Sequence, residues 1–285
     1  MNPSPQELLR SLMRGAPFQP ATNLWRAVEL AAVLEHGLPA GRGLDLGCGD
    51  GKLTAILERA SPDAGSRQWV GVDIDPLETD QARALGLYEQ VHTGSAQAVA
   101  LADASLDFVF SNSVLEHIGP IREVLREAAR VLRPGGRFMA TVPGPGLHTA
   151  LRGGFPYGRM SRADYLQEID RRCAHLRYWD AGQWVDELRP LGLPQVRIGG
   201  YFSPAQVQRW ERVSNLTGGV LVQLAGGRHR PIELQRRLGL RRPPGTLTGQ
   251  LAAALAPALA WGCDLAPRAL PVEQAGCLLI DAVKA

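Results

Sequence analysis

Across residues 43–142, short apolar runs alternate with stretches of helical spacing, and this alternation constrains the fold more than any other feature. Residues 43–47 read as a buried strand, Lys52–Ala60 as a helix stopped before Pro62, and residues 68–74 as a second strand. Residues 77–87 have helical spacing, 87–92 hold a short third strand, and 106–111 form an almost wholly apolar fourth strand, as a strand covered on both faces should be. Residues 121–132 read as a helix closed by Pro134-Gly135-Gly136, and 137–142 as a fifth strand. This order predicts an α/β architecture, a parallel sheet with helices on both faces. Such sheets bind ligands at the carboxyl ends of their strands, so the loops after strands one to four are where chemistry is expected.

The flanks follow other patterns. Residues 5–14 place Leu8, Leu9, Leu12 and Met13 at helical spacing. Thr22 is the expected N-cap of a second helix that carries Trp25, Val28, Leu30, Val33 and Leu34 and ends near Gly37-Leu38-Pro39. After Pro143 a glycine-rich stretch precedes helices expected at 162–172 and 181–191, a sixth strand at 194–202 and a last strand at 275–283. The segment 203–274 between those strands is far too long for a hairpin and reads as an insertion with its own helices.

Composition narrows the function. With 45% hydrophobic and 21% charged residues the chain is an ordinary globular one, and a net charge of +3 is too small to point to nucleic acid. Lys52 and Lys284 are the only lysines, and the arginine bias reads as genome composition rather than phosphate recognition. Cys48, Cys173, Cys263 and Cys277 show no CxxC spacing and no His/Cys cluster, so no metal is expected, and their scatter suits a reducing compartment. Residues 1–18 lack an apolar core of the signal-peptide kind, so the expected location is cytoplasmic.

The segment Leu44-Asp45-Leu46-Gly47-Cys48-Gly49-Asp50-Gly51 follows a strand and precedes a helix. Glycines there permit a tight turn and a close ligand. The dinucleotide pattern GxGxxG would need a third glycine where Lys52 stands. Asp50 also occupies the place a pyrophosphate would approach, whereas a ligand with a sulfonium and an ammonium group would meet Asp45 and Asp50 favourably. Asp73, at the end of the second strand in Val70-Gly71-Val72-Asp73-Ile74-Asp75, is placed to accept from two ribose hydroxyls; a turn-capping role is its plainer alternative.

With these motifs the sequence resembles the class I S-adenosylmethionine-dependent methyltransferases of the bacterial small-molecule type. The likeness runs through residues 44–51, 71–75, 94–117 and 132–143. It implies a doubly wound Rossmann-like sheet over 41–202 and 272–285, with a helical N-terminal cover at 1–40, an acceptor or lid segment at 144–180 and a helical insertion at 203–271. It implies that Asp45, Gly47, Cys48 and Gly49 meet the methionyl part of S-adenosylmethionine, and Asp73 and Ile74 its ribose and adenine. Ser95 and Ala96 would lie beside adenine, Ser95 standing where the family often has an Asp. Ser111 and Asn112, in the fourth-strand motif that runs to His117, would sit at the mouth of the site near the transferable methyl.

Methyl transfer from a sulfonium needs alignment above all, and a hydroxyl acceptor must also lose a proton, a task suited to histidine. The candidates are His117, His148 and His175. His117 is nearest the expected cofactor, with packing in its helix as the competing role; His148 lies in the glycine-rich stretch; His175 follows Arg171 and Arg172 and precedes Arg177. Those arginines suggest a phosphate on the acceptor, against simple abundance. In the insertion, the uncharged run 243–263 follows Arg228, Arg230, Arg236, Arg237, Arg241 and Arg242. Two readings stand: helices packed over the sheet or at a homodimer interface, and peripheral membrane contact through 228–265. The expected activity is O-methylation of a small-molecule or glycan- or lipid-linked intermediate. N- or C-methylation and a non-catalytic cofactor-binding subunit are the alternatives, and an NAD-dependent oxidoreductase is disfavoured by Asp50 and Lys52.

Overall fold

The apolar runs pair into a sheet whose two faces are both covered. The computed structural model describes residues 2–226, 229–240 and 245–285. Its strands are β1 (Gly41–Leu46), β2 (Arg67–Asp73), β3 (Tyr88–Thr93), β4 (Leu106–Asn112), β5 (Leu132–Pro143), β6 (Gln195–Tyr201) and β7 (Cys277–Val283). They lie in the order β3-β2-β1-β4-β5-β7-β6. The chain winds outward from β1 to β3, then returns to β4 on the other side of β1, so the strand order reverses between β1 and β4.

Helices α1 (Pro5–Gly15), α2 (Pro20–His36), α3 (Lys52–Ala60), α4 (Pro76–Ala84), α5 (Ile121–Val131), α6 (Gly146–Ala150), α7 (Arg162–Cys173) and α8 (Ala181–Leu188) precede β6. Between β6 and β7 run α9 (Pro204–Ser214), α10 (Val220–Leu224), α11 (Pro231–Arg237), α12 (Thr246–Ala254) and α13 (Ala256–Ala260). Alternate residues of a strand face opposite sides, and the core divides accordingly. Phe108, Phe110, Trp69 and Met139 pack with Leu9, Leu24, Val28 and Leu30 of the N-terminal helices. Val109, Leu44, Val70 and Phe138 pack with Val124 and Leu125 of α5 and Trp184 of α8.

Three expectations are corrected. Thr22 lies inside α2, which starts at Pro20 with Gln19 as N-cap: proline fixes the backbone angle that a first helical turn needs, and this prevails over a side-chain cap. β5 begins at Leu132 rather than Arg137, because Gly135 N donates to Lys284 O and Lys284 N to Gly136 O, extending the strand through the Pro-Gly-Gly turn. The sheet is not wholly parallel: β7 runs antiparallel between β5 and β6. Hydrophobic patterning specifies which residues are buried but not which way a strand runs.

The expected helices of the insertion are present, and they pack on the N-terminal cover. A Cβ on Gly249 of α12 would lie 2.6 Å from Arg14 O, so the helix backbones approach closely there. With its small residues Gly249, Ala252 and Ala253 turned inward, α12 leaves Leu247, Leu251 and Leu255 about two-thirds exposed. The basic half of the membrane reading fares differently. Arg236 pairs with Asp75 and Glu78 and Arg230 with Glu233, while Arg228, Arg241 and Arg242 lie outside the described residues. Among the described residues no helix is long and apolar enough to cross a membrane.

The end of α2 is pinned to the sheet by Asp281 of β7. Its carboxylate receives Arg137 of β5 at 2.7 Å and faces His36 Nε2 at 3.2 Å. Burial opposes ionisation of Asp281, but the hydrogen bonds from His36 and Arg137 outweigh it and hold the carboxyl at about 2. A depressed carboxyl contributes stability that is present above its unfolded value of about 3.9 and is lost as pH falls from there through about 2. Thermal melts between neutral pH and pH 2 should therefore show a loss of stability below pH 4 that is smaller in Asp281→Asn, the variant being less stable at pH 7. Equal acid sensitivity of the two proteins would refute the pin.

Candidate functional site

The turn after β1 is stitched to β2 before any side chain acts. Val72 O accepts from both Gly47 N, at 2.8 Å, and Cys48 N, at 3.0 Å. Gly47 has a φ of +82°, and a Cβ there would sit 2.5 Å from Val114 Cγ1, so the position requires glycine on two counts. Gly49 also has a positive φ, but a Cβ there would meet nothing within 4 Å, which leaves the backbone of the turn open to an approaching ligand. Asp73 completes the stitch: Oδ2 accepts from Gly49 N and Oδ1 from Asp75 N, both at 2.9 Å. Its partial exposure leaves acceptor capacity for further donors.

The two other acidic residues of the turn serve the fold. Asp45 is 2% exposed and accepts from Thr54 Oγ1 and Tyr88 OH, each at 2.6 Å. Burial pushes its carboxyl up to about 6, against the pull of those two hydrogen bonds. Asp50, expected to face a ligand, forms an ion pair with Lys52 and accepts from Lys52 N at 3.2 Å at the start of α3. Burial holds the Cys48 thiol well above the usual range, so it is a neutral wall and not a nucleophile.

Next to Asp73, Ile74 is 76% exposed, an apolar side chain with almost no protein cover. Ser95 is engaged locally, accepting from Gln97 N at 3.2 Å and donating to Gln97 Oε1 at 3.0 Å; Ala96 beside it is half-buried. Ser111 is fully buried and its hydroxyl donates to Leu46 O at 3.0 Å, so that side chain binds β4 to β1 and does not reach the mouth of the site. Asn112 Oδ1 accepts from Thr141 Oγ1 at 2.7 Å, while its buried amide nitrogen finds no acceptor.

A carboxylate that the sequence reading passed over organises this end of the sheet. Glu29 of α2 is fully buried; it pairs with Arg26, accepts from Ser113 Oγ, and lies 2.9 Å from Thr141 Oγ1 and 3.4 Å from Tyr201 OH. Its signal was available, a lone acid inside the apolar run from Ala27 to Leu34. Glu116, also missed, is 1% exposed, and burial pushes its carboxyl up to about 8.

The three candidate histidines come together from distant segments. His117 and His175 have ring centroids 5.4 Å apart, and His148 stands one layer behind them, 4.2 Å from the ring of Tyr178. Tyr178 OH donates to Asp170 Oδ1, which also faces His148 Nε2 at 2.8 Å. Burial lowers the His117 imidazole from its ordinary value and takes His175 down to about 3, so His175 is neutral throughout the physiological range. The arginines disperse. Arg171 pairs with Glu168, Arg177 donates to the Leu115, Ile118 and Gly119 carbonyls, and Arg172 is buried against Ser214 and Asn215. No shared anion site forms from the three.

One cavity of about 490 Å³ adjoins these parts; of the glycine turn Asp50 lines it, while Gly47, Cys48, Gly49, Asp73 and Ile74 do not. Asp50, Lys52 and Leu53 line it at the glycine turn; Trp25, Arg26, Glu116, His117 and His175 line it beneath the N-terminal cover and the lid segment. Arg172 and Trp210 close it from α7 and α9, while His148 is outside its lining.

Residues 44–140 match the model of the family described as "Methyltransferase domain". The dimethylglycine N-methyltransferase of Parasynechococcus marenigrum is 38% identical over 130 residues, covering 43% of this chain and 45% of that protein. The malonyl-[acyl-carrier protein] O-methyltransferase of Methylococcus capsulatus is 34% identical over 128 residues, with the same two coverages of 43% and 45%. The match thus spans less than half the length of either relative. A solved SAM-dependent methyltransferase from Thermotoga maritima, titled a possible histamine N-methyltransferase, shares the fold with a TM-score of 0.55 at 14% identity, over 96% of this chain and 99% of that one.

The stitched turn makes a specific demand on side-chain volume. Gly47→Ala should destabilise the protein by about 2–4 kcal/mol in urea melts, combining a left-handed backbone with overpacking against Val114. Adding Val114→Ala should recover part of that loss, and strict additivity of the two substitutions would show that the close approach carries no cost.

Proposed function

The chain belongs to the class I S-adenosylmethionine-dependent methyltransferases, and from that premise we propose that it methylates an oxygen of a small-molecule acceptor held in the cavity between the glycine turn and the histidine wall. The carrying observation is that one cavity, about 490 Å³ and of metabolite size, is lined by Asp50 of the glycine turn and by Glu116, His117 and His175.

S-adenosylmethionine supplies a methyl group on a positively charged sulfur, an activated leaving group. The residues around the turn fit such a molecule. In this reading Asp73 accepts from the ribose hydroxyls while holding Gly49 in place, and the open face of Gly49 admits the methionyl part beside Gly47, Cys48 and the buried Asp45. Ile74, exposed in the protein alone, gains a partner in the adenine ring, with Ser95 and Ala96 at its edge. The backbone of Ser111 and the side chain of Asn112 border the approach to the methyl group, Asn112 contributing a buried amide that lacks an acceptor.

The work left to the protein is alignment, worth about 7–11 kcal/mol when reacting atoms are well placed. Trp25 and Trp210 give the cavity apolar walls, and the two imidazoles give it acceptor nitrogens to orient a hydroxyl group. That pairing of apolar walls with imidazole acceptors supports oxygen as the methylated atom.

Titration calorimetry tests the cofactor half. S-adenosylhomocysteine should bind and NAD should not, and Asp73→Asn should weaken binding roughly tenfold or more, because an amide cannot accept at both oxygens. Failure of S-adenosylhomocysteine to bind would overturn the whole reading. For the acceptor half, labelled S-adenosylmethionine is offered with hydroxylated and amino metabolites of cavity size, and fragmentation spectra locate the methyl. Methyl on oxygen is the expected result; methyl on nitrogen or carbon replaces the acceptor assignment, and binding with no transfer to any fraction identifies a non-catalytic cofactor-binding subunit.

A further inference from the structure

Glu116, His117 and His175 each bring one potential ligand atom to within 4.8 Å of the other two. All three line the cavity. Hydrogen bonds behind the two imidazoles fix which nitrogen is free. His117 Nδ1 lies 2.9 Å from Ala174 O. A carbonyl only accepts, so Nδ1 carries the proton and Nε2 keeps its lone pair. His175 Nδ1 lies 3.0 Å from Tyr178 OH, whose own proton is directed at Asp170 Oδ1. The tyrosine oxygen is then the acceptor, Nδ1 the donor, and His175 Nε2 is again free. Ring N–H groups held by a carbonyl, or by a group anchored on a carboxylate, are the arrangement that orients metal-bound histidines.

Glu116 supplies the second, independent observation. It is 1% exposed, and its Oε2 has no hydrogen-bond partner, a costly state for a buried carboxyl oxygen. Its Oε1 lies 3.7 Å from His117 Nε2, room for a shared ion between them rather than a direct hydrogen bond. The nearby guanidinium groups do not satisfy it: Arg26 is paired with Glu29, and Arg177 donates to three backbone carbonyls.

We propose that Glu116, His117 and His175 bind one divalent transition-metal ion through two imidazole nitrogens and one carboxylate, with its remaining positions open to the cavity. Two nitrogens and one oxygen with an open position suit Zn²⁺, Fe²⁺ or Co²⁺ and not Mg²⁺ or Ca²⁺. The role of the ion rests on the methyl-transfer reading. An acceptor hydroxyl on the open position gives its proton to solvent and stays bound as an alkoxide. An oxygen lone pair forms the new bond to the methyl carbon, the carbon–sulfur pair stays on sulfur, and the neutral ether leaves the ion.

Metal-free protein titrated with Co²⁺ and followed by visible absorption tests the site without any turnover. One ion per chain should bind with the d–d bands of a histidine-ligated centre, and Zn²⁺ should bleach them by displacement. Glu116→Gln, His117→Ala and His175→Ala should each lower Co²⁺ affinity at least roughly tenfold, and Tyr178→Phe, one bond removed, about 10–100-fold. His229→Ala, at a separate surface pair with Glu233, should bind as the wild type does. In the wild-type protein, where no folding defect can intervene, Zn²⁺ should protect His117 and His175 from diethyl pyrocarbonate, read by peptide mass spectrometry. Absence of saturable Co²⁺ binding, binding that survives loss of two ligands, or equal modification with and without Zn²⁺ overturns the metal site. S-adenosylhomocysteine affinity, measured on the same variants, should be unchanged; its absence in the wild type would defeat the methyl-transfer reading and leave the metal result standing.

Discussion

The buried carboxylate of Glu29 is the interaction on which the upper half of the molecule depends. It pairs with Arg26 of α2, accepts from Ser113 in the loop after β4, and lies against Thr141 of β5 and Tyr201 of β6. A charge taken out of water is tolerated when it is paired and its lone pairs are filled, and removing one partner leaves the others uncompensated. The consequence is geometric. With α2 fixed there, Trp25 and Arg26 line the cavity that Asp50 of the glycine turn also lines. The far end of α2 is tied to β7 and β5 as well, through His36, Asp281 and Arg137.

The glycine turn and the histidine wall differ in how they are held. The turn is held by backbone: two N–H groups on Val72 O and one on Asp73, bonds that follow from the β1–turn–α3 path itself. The wall is held by side chains from segments far apart, His117 against Ala174 and His175 against Tyr178. α11 reaches the neighbourhood of the turn, since Arg236 bonds Asp75 and Glu78 beside the residue that anchors it. The turn is therefore built from the neighbouring β1 and β2 segments, and the histidine wall is assembled by tertiary packing. This division suits a fold in which one donor serves many acceptors.

Legibility in the sequence follows the same division. The strand–turn–helix around Gly47 and the acidic end of the next strand at Asp73 are readable because each is a short motif at the end of a strongly apolar strand. Asp50 lines the cavity, and its ion pair with Lys52, two residues on, was not foreseen. Ser111 was placed at the mouth by its position in a motif, whereas the pleat of β4 turns its hydroxyl into the sheet toward Leu46 O. The arginines at 171, 172 and 177 looked like one cluster in a linear reading, yet the end of α7 and the extended segment after it send them in three directions.

By itself the sequence determined the α/β class, the helices before the last strand and S-adenosylmethionine as the methyl donor, because hydrophobic period, turn residues and short-range spacing are written along the chain. Only the tertiary structure decided that β7 runs antiparallel, that Glu29 bridges α2 to three other elements, and that His117 and His175 meet over Glu116. Residues 116 and 175 are brought together where the segment after α7 meets the turn after β4, Leu176 N donating to Glu116 O. Spacing along a chain carries no record of such a contact, since the energy that makes it belongs to the packed faces and not to the residues that meet there.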